Sequence, residues 1–250
     1  MKTIVIANQK GGTGKSSTAC HIAFYLAEQG RSVLFLNCET QGNSCKTLHK
    51  AGYATAPVRA DAFFAEDVFS LPDSEGITVI DGGGFLADID KAQGRFFKGQ
   101  LQRFADQFDF CVIDTPPTAN VLQIAPLTAA NFVLSPIEME DYSIDGVVDM
   151  LKTIQGVRNL YNPDMRFLGI LPSRLKGNSP RQKNSLKSLL THYPHFVFAA
   201  QDGIKIGDRQ AIPEALSEGV PVWKLKKTSA REAADEMLKF LAALAEKVGV

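Results

Sequence analysis

Seven short apolar runs, at 3–7, 32–37, 77–80, 109–113, 131–135, 166–171 and 196–199, are spaced along the chain with mostly helix-like segments between them. Strands that are apolar almost throughout need cover on both faces. Helical periodicity at 15–29, 88–106, 144–160, 180–191 and 228–247 supplies it. The pattern predicts an α/β fold, a single doubly wound, mostly parallel sheet with helices on both faces. No internal repeat, low-complexity segment or linker divides the sequence, so residues 1–250 are read as one domain. The stretch 53–76, rich in Ala, Pro and Asp, gives no clear reading, and Gly82-Gly83-Gly84 is taken as a turn.

The first run leads directly into ANQKGGTGKSS, residues 7–17. A strand, a glycine-rich turn and a helix opening on Lys-Ser form the context of a phosphate-binding loop. Glycines let backbone N–H groups turn inward around phosphates, and the helix N-terminus adds partial positive charge. Lys15 is placed to reach the β- and γ-phosphates, and the Ser16 hydroxyl to take Mg²⁺. Gly11, Gly12, Thr13, Gly14 and Ser17 complete the nucleotide-binding set. Two features depart from the usual pattern. Gln9 stands where a glycine is expected, and a second lysine, Lys10, precedes Lys15 by five residues.

The stretch NQKGGTGKSST resembles the deviant Walker A motif, KGGxGK[ST], of the ParA/MinD family of P-loop ATPases. The resemblance implies a P-loop NTPase fold, ATP and Mg²⁺ as ligands, and a homodimer that sandwiches ATP. It implies that Lys10 crosses to the partner's nucleotide. Two lysines converging on one triphosphate within a subunit would be redundant, whereas one donated across an interface couples dimerisation to nucleotide state.

Two further segments carry the resemblance. NCETQGN, residues 37–43, stands where the family has D-x-D-P-Q-G-N, so Asn37 and Glu39 replace both aspartates. Glu39 is the implied water-positioning carboxylate, one methylene longer than the family's Asp. CVIDTPP, residues 111–117, matches the D-x-P-P segment and implies Asp114 as a Mg²⁺ ligand with Ser16. SPIEMEDYSIDGV, from residue 135, is similar to the family's loop and helix after its fifth strand. Ser173 and Arg174, after the run at 166–171, fall where members often contact adenine. The segment from Asp208 to about residue 245 resembles the last part of short plasmid-type ParA proteins. The chain opens at the phosphate-loop strand, without the helix-turn-helix domain of longer ParA proteins, so operator-specific DNA binding is not expected.

Net charge is zero but divided. Residues 1–150 hold 11 Lys/Arg against 18 Asp/Glu, a balance of −7, and residues 151–250 carry +7. Charge alone leaves open a basic face for nucleic acid or ordinary solvated side chains. The candidates for non-specific double-stranded DNA are Lys176, Arg181, Lys183, Lys187, Arg209, Lys226, Lys227 and Arg231, with Arg174 and Lys224 beside them. None of Cys20, Cys38, Cys45 and Cys111 forms a C-x-x-C pair, which argues for reduced, buried thiols over a metal site. No run of about 18 apolar residues is present, and in the last helix Glu232, Asp235, Glu236 and Glu246 outnumber Arg231, Lys239 and Lys247, so no membrane association is expected.

The resemblance implies a slow bacterial DNA-partition ATPase, cytoplasmic and nucleoid-associated. It would bind DNA as an ATP dimer and leave when a centromere-binding ParB-type partner stimulates hydrolysis. Two alternatives remain on the sequence alone. One is an ATP-dependent positioning protein for a non-DNA cargo. The other is a metabolic ATP-dependent ligase on the same scaffold, such as dethiobiotin synthetase.

Overall fold

The computed structural model describes residues 1–72, 75–139 and 144–250. Among these, seven strands make one all-parallel sheet: β1 (Lys2–Ile6), β2 (Val33–Asn37), β3 (Ala54–Arg59), β4 (Ile77–Asp81), β5 (Phe110–Asp114), β6 (Phe132–Glu138) and β7 (Arg166–Ser173). Their order is β3-β4-β2-β5-β1-β6-β7. The helices are α1 (Lys15–Glu28), α2 (Asn43–Lys50), α3 (Gly94–Gln102), α4 (Val121–Ala129), α5 (Ile144–Leu160), α6 (Pro180–His192), α7 (Ala211–Glu218) and α8 (Arg231–Val248), with short 3₁₀ turns between some of them. Of the segment beginning at residue 135, residues 140–143 lie outside the described residues.

Two cores form because strand side chains alternate between faces. Ile4, Ile6, Val33, Phe35, Phe110 and Val112 point to one core, where residues of α1, α2, α7 and α8 cover them. Val5, Leu34, Leu36, Cys111 and Ile113 point to the other, covered from α3, α4, α5 and α6. Burial on both faces is why these strands read as unbroken apolar runs. The apolar face of α8, with Met237, Phe240, Leu241 and Leu244, belongs to the first core.

β1 lies between β5 and β6, and Ile6 is in register with Asp114. The connection after β1 crosses to one side of the sheet and that after β5 to the other. The carboxyl ends of these two strands therefore form a topological switch point, where open α/β sheets place their ligands.

Several elements differ from the sequence reading. Residues 196–199 form no strand. Pro194–Phe196 is a 3₁₀ turn, Val197 makes an isolated bridge to Ile170, and Ala199 takes a left-handed φ of 43°. The unread stretch 53–76 holds β3, an edge strand whose largely solvent-facing side chains carry no apolar signal. The helix expected at 88–106 is reduced to α3, preceded by reciprocal bonds between Asp90 and Gln93. Helices α2, α4 and α7 are additions, α4 running through Pro126.

Candidate functional site

The loop between β1 and α1 is shaped by backbone conformations that side chains resist. Gly12 and Gly14 have φ of 75° and 90°. Gly14 also backs onto β7, because a Cβ there would lie 3.0 Å from Ser173 Oγ. Gly14 is the N-cap of α1 and offers no side-chain cap, which leaves first-turn N–H groups for a ligand. The Asn8 side chain anchors the loop. Its Nδ2 donates to the Pro136 carbonyl at 2.6 Å, and its Oδ1 accepts the Lys10 N–H at 3.0 Å.

The two lysines face different surroundings. Lys15 is buried, and its Nζ donates to the Lys10 carbonyl at 3.0 Å. Burial lowers its pKa, opposed by the charges of Asp114 and Glu39. Lys10 stands exposed on the rim.

Asp114 ends β5 fully buried, and neither carboxylate oxygen has a hydrogen-bond partner. Burial raises its pKa to about 6; the Ser16 and Ser44 hydroxyls beside it and the Lys15 charge pull the other way, without reaching hydrogen-bond geometry in the case of the hydroxyls. The Thr13 hydroxyl is also buried and unpartnered. A buried carboxylate with unused oxygens near the Ser16 hydroxyl fits a Mg²⁺ ion. Magnesium commonly takes one or two carboxylates and completes its shell with phosphates and water.

The phosphate loop opens on a cleft of about 530 Å³ whose lining includes neither Asp114 nor Lys10, a volume within the usual range for small-ligand sites. Gly11 through Ser17, Glu39, Ser173 and Arg174 all line it. Arg174, expected near adenine, is bonded to the phosphate loop. Its Nη1 donates to the Gly12 carbonyl at 2.8 Å, and the guanidinium also lies 3.5 Å from Glu138 and 3.4 Å from Asp208. Asn37, which stands in place of the first of the family's two aspartates, directs its amide to the Glu39 N–H and the Cys45 sulfur.

The cleft wall opposite the loop comes from Ile206, Asp208, Gln210, Ile212, Pro213 and Leu216, which sequence reasoning did not assign to the site. Its only prior signal was the family-like character of the segment from Asp208 onward. Gly82 was also missed. A Cβ there would come within 2.4 Å of the Asn37 carbonyl, so Gly82 packs directly under the Asn37–Glu39 segment, while Gly84 opens a 3₁₀ turn.

The basic candidates fall into groups. Lys176, Arg181, Lys183 and Lys187 are exposed on α6 and the loop before it, over the core that contains Leu189. Lys226 and Lys227 lie between α7 and α8 and Arg231 opens α8, over the other core. Lys227 is paired with Glu214. Arg209 forms part of the cleft wall and is held by Glu232 at 2.5 Å and Glu236 at 2.9 Å. The four cysteines are free and buried.

A phosphate loop at the switch point of a parallel sheet, facing a buried acid, defines a P-loop nucleotide-binding protein. Residues 1–167 match the family described as an AAA domain. The chain is 37% identical over 244 residues to Protein IncC of Escherichia coli, covering 95% of this chain and 67% of IncC. It is 30% identical over 230 residues to the chromosome-partitioning ATPase Soj of Thermus thermophilus, covering 88% and 89% respectively. Among solved structures, an ATP complex of Cyanothece McdA shares the fold, with TM-score 0.78, 23% identity and coverage of 98% and 96%. Cobyrinic acid a,c-diamide synthase from Mycobacterium smegmatis, with bound ATP analog and magnesium, gives TM-score 0.66 and 29% identity over 77% of this chain and 83% of that one. The chain belongs to the ParA/MinD family of P-loop ATPases.

Proposed function

We propose that this chain is a DNA-partition ATPase whose 250 residues act as one unit. The observation that carries the reading is the division of labour in its phosphate loop, with Lys15 buried against its own loop and Lys10 on the exposed rim. The likeness to Soj, a chromosome-partitioning ATPase, supports the partition role. The loop N–H groups and Lys15 would hold the triphosphate of ATP, and Ser16 and Asp114 would hold Mg²⁺. When bound, Mg²⁺ neutralises charge on the β- and γ-oxygens. Glu39, on the cleft wall, would orient the attacking water. Hydrolysis is slow in this reading, because a longer carboxylate holds the water less tightly than the family's Asp.

Lys10 would reach the nucleotide of a second copy, so that the dimer forms only around ATP. The exposed cations of α6, with Lys226 and Arg231, would contact DNA phosphates without regard to sequence. A ParB-type partner would trigger hydrolysis and release from the nucleoid. The experiment is light scattering and a DNA gel shift with ATP, ADP and a slowly hydrolysed ATP analogue. ATP-dependent dimers and salt-sensitive DNA binding are expected. Lys10→Ala should bind ATP yet form neither dimer nor DNA complex. Equal DNA binding with ADP and ATP would overturn the reading.

The likeness to cobyrinic acid a,c-diamide synthase favours a second reading, an ATP-dependent ligase on the same scaffold. A ligase would remain indifferent to DNA and would retain its dependence on a small acid substrate in the Lys10→Ala variant.

A further inference from the structure

Asn37 ends β2 fully buried, with both ends of its amide engaged. Its Oδ1 accepts the N–H of Glu39 at 2.6 Å, and its Nδ2 donates to Cys45 Sγ at 3.4 Å. A side-chain oxygen that takes the N–H two residues on makes an Asx turn. That turn fixes the direction in which the chain leaves the strand, and so where the Glu39 side chain sets out toward the cleft.

The same segment is confined from two other sides. A Cβ at Gly82 would lie 2.4 Å from the Asn37 carbonyl oxygen, 2.8 Å from that of Glu39 and 3.0 Å from Asn37 Cγ, so the Gly82 backbone is packed directly against the turn. On the α2 side, Cys45 is buried and donates its thiol to the Ile80 carbonyl at 3.7 Å, leaving its sulfur to accept from Asn37. Burial pushes this thiol up to about 12, so it stays protonated and able to donate. Every polar atom of the Asn37 side chain is thus committed to the turn or to α2.

We propose that Asn37 is the positioning residue for Glu39: its amide, locked between Gly82 and Cys45, sets the turn that aims the Glu39 carboxylate at the cleft. The proposal rests on the reading of Glu39 as the group that orients the attacking water. In this chain the neutral amide works on the backbone of the segment and leaves Ser16 and Asp114 to hold the metal.

The test compares the parent with Asn37→Ala and Asn37→Asp. The first readout is hydrogen exchange of the Glu39 amide in the nucleotide-free protein, which is independent of any activity. Asn37→Ala should speed that exchange several-fold, the scale of one net hydrogen bond. Asn37→Asp keeps an oxygen for the Glu39 N–H and should restore slow exchange, even though it gives up the bond to Cys45. The second readout is the split between kcat and KM for ATP with Mg²⁺. Asn37→Ala should lower kcat about tenfold or more, since roughly 1 Å of misplacement costs on the order of 10²-fold, with KM changed less than about twofold. Asn37→Asp should recover most of that kcat.

Parental exchange and kcat in Asn37→Ala would overturn the proposal. So would Asn37→Asp matching Asn37→Ala in both readouts, because the residue would then be packing only. If exchange behaves as expected while Glu39→Ala hydrolyses ATP at the parental rate, the turn stands, but the catalytic reading of Glu39 falls, and with it the effect assigned to aiming it.

Discussion

Lys15 sends its ammonium back to the backbone carbonyl of Lys10, at 3.0 Å. The bond closes the phosphate loop on itself and makes the two lysines unlike. Lys15 contributes a buried charge to the loop's own site, while Lys10 contributes a carbonyl there and keeps its side chain on the exposed rim. An ammonium has three N–H donors, so Lys15 has donors left for phosphate oxygens.

Lys15→Ala should therefore lose affinity for Mg²⁺-ATP by on the order of 10²-fold, the scale of one or two charge-assisted hydrogen bonds. Titration calorimetry measures it. The melting temperature without nucleotide should fall little, because burial of the charge already lowers the Lys15 pKa and so costs stability. Parental affinity in the variant would remove Lys15 from the phosphate site.

Gly82→Ala should destabilise the chain and displace Glu39 together. The new Cβ would stand 2.4 Å from the Asn37 carbonyl, which is backbone and cannot swing aside. Overpacking of this kind costs about 1–3 kcal/mol, or roughly 2–12 °C in melting temperature for a chain of this size. Gly84→Ala is the control, since a Cβ there meets nothing within 4 Å. Equal melting temperatures for the two variants would contradict the close approach.

A third prediction concerns acid. His21 is fully buried on α1, its Nδ1 donating to the Ser17 carbonyl at 2.7 Å and its Nε2 accepting the Val222 N–H at 3.2 Å. Burial lowers its pKa from 6.5 to about 4, against the raising effect of the Ser17 carbonyl. The folded value lies below the unfolded one, so the fold favours neutral His21. The stability it provides is complete above pH 6.5 and is lost as pH falls from 6.5 toward 4. Between pH 7 and pH 5 that loss is about 2 kcal/mol. His21→Gln removes the titration, so urea denaturation should show its stability changing from pH 7 to pH 5 more favourably than the parent's by about that amount. Identical pH dependence would mean that His21 is not held neutral.

What the sequence disclosed follows from how each part is buried. β1, β2 and β5 were legible because strands covered on both faces carry apolar residues at most positions. β3 was not, because an edge strand with most side chains in solvent has no such pattern. The run at 196–199 misled for the opposite reason: Val197 and Phe198 are buried, yet only Val197 bridges the sheet before Ala199 turns the chain away. The phosphate loop and Asp114 could be found because their chemistry is local to a few residues. The wall around Asp208 is far from the loop in sequence, and no local pattern specifies what will face it; Arg174 was named only through the resemblance, and its bond to the Gly12 carbonyl was not foreseen. Asn37 illustrates a further limit, since its position was legible but the direction of its amide was not.

The last prediction sets function against stability at Asp114. Its carboxylate is fully buried without a hydrogen-bond partner, and burial raises its pKa from 3.8 to about 6. The folded value lies above the unfolded one, so this group favours the fold only when protonated. Its contribution is fully present below pH 3.8 and is lost as pH rises through 6. At pH 7.5 the nucleotide-free chain therefore carries a buried charge that costs up to about 3 kcal/mol. Asp114→Asn keeps the shape, removes the charge and offers N–H donors to the Ser16 and Ser44 hydroxyls nearby. It should raise stability by about 1–3 kcal/mol at pH 7.5, and the gain should shrink toward zero by pH 4, where the parent carboxyl is itself protonated. The same variant should bind ATP without the parent's dependence on Mg²⁺, since the oxygens that suit the metal are reduced to one neutral carbonyl. Thermal melts at the two pH values and ATP titrations with and without Mg²⁺ measure both effects. A variant less stable than the parent at pH 7.5 would mean that the carboxylate is compensated within the fold and that the buried charge is not held in reserve for a cation.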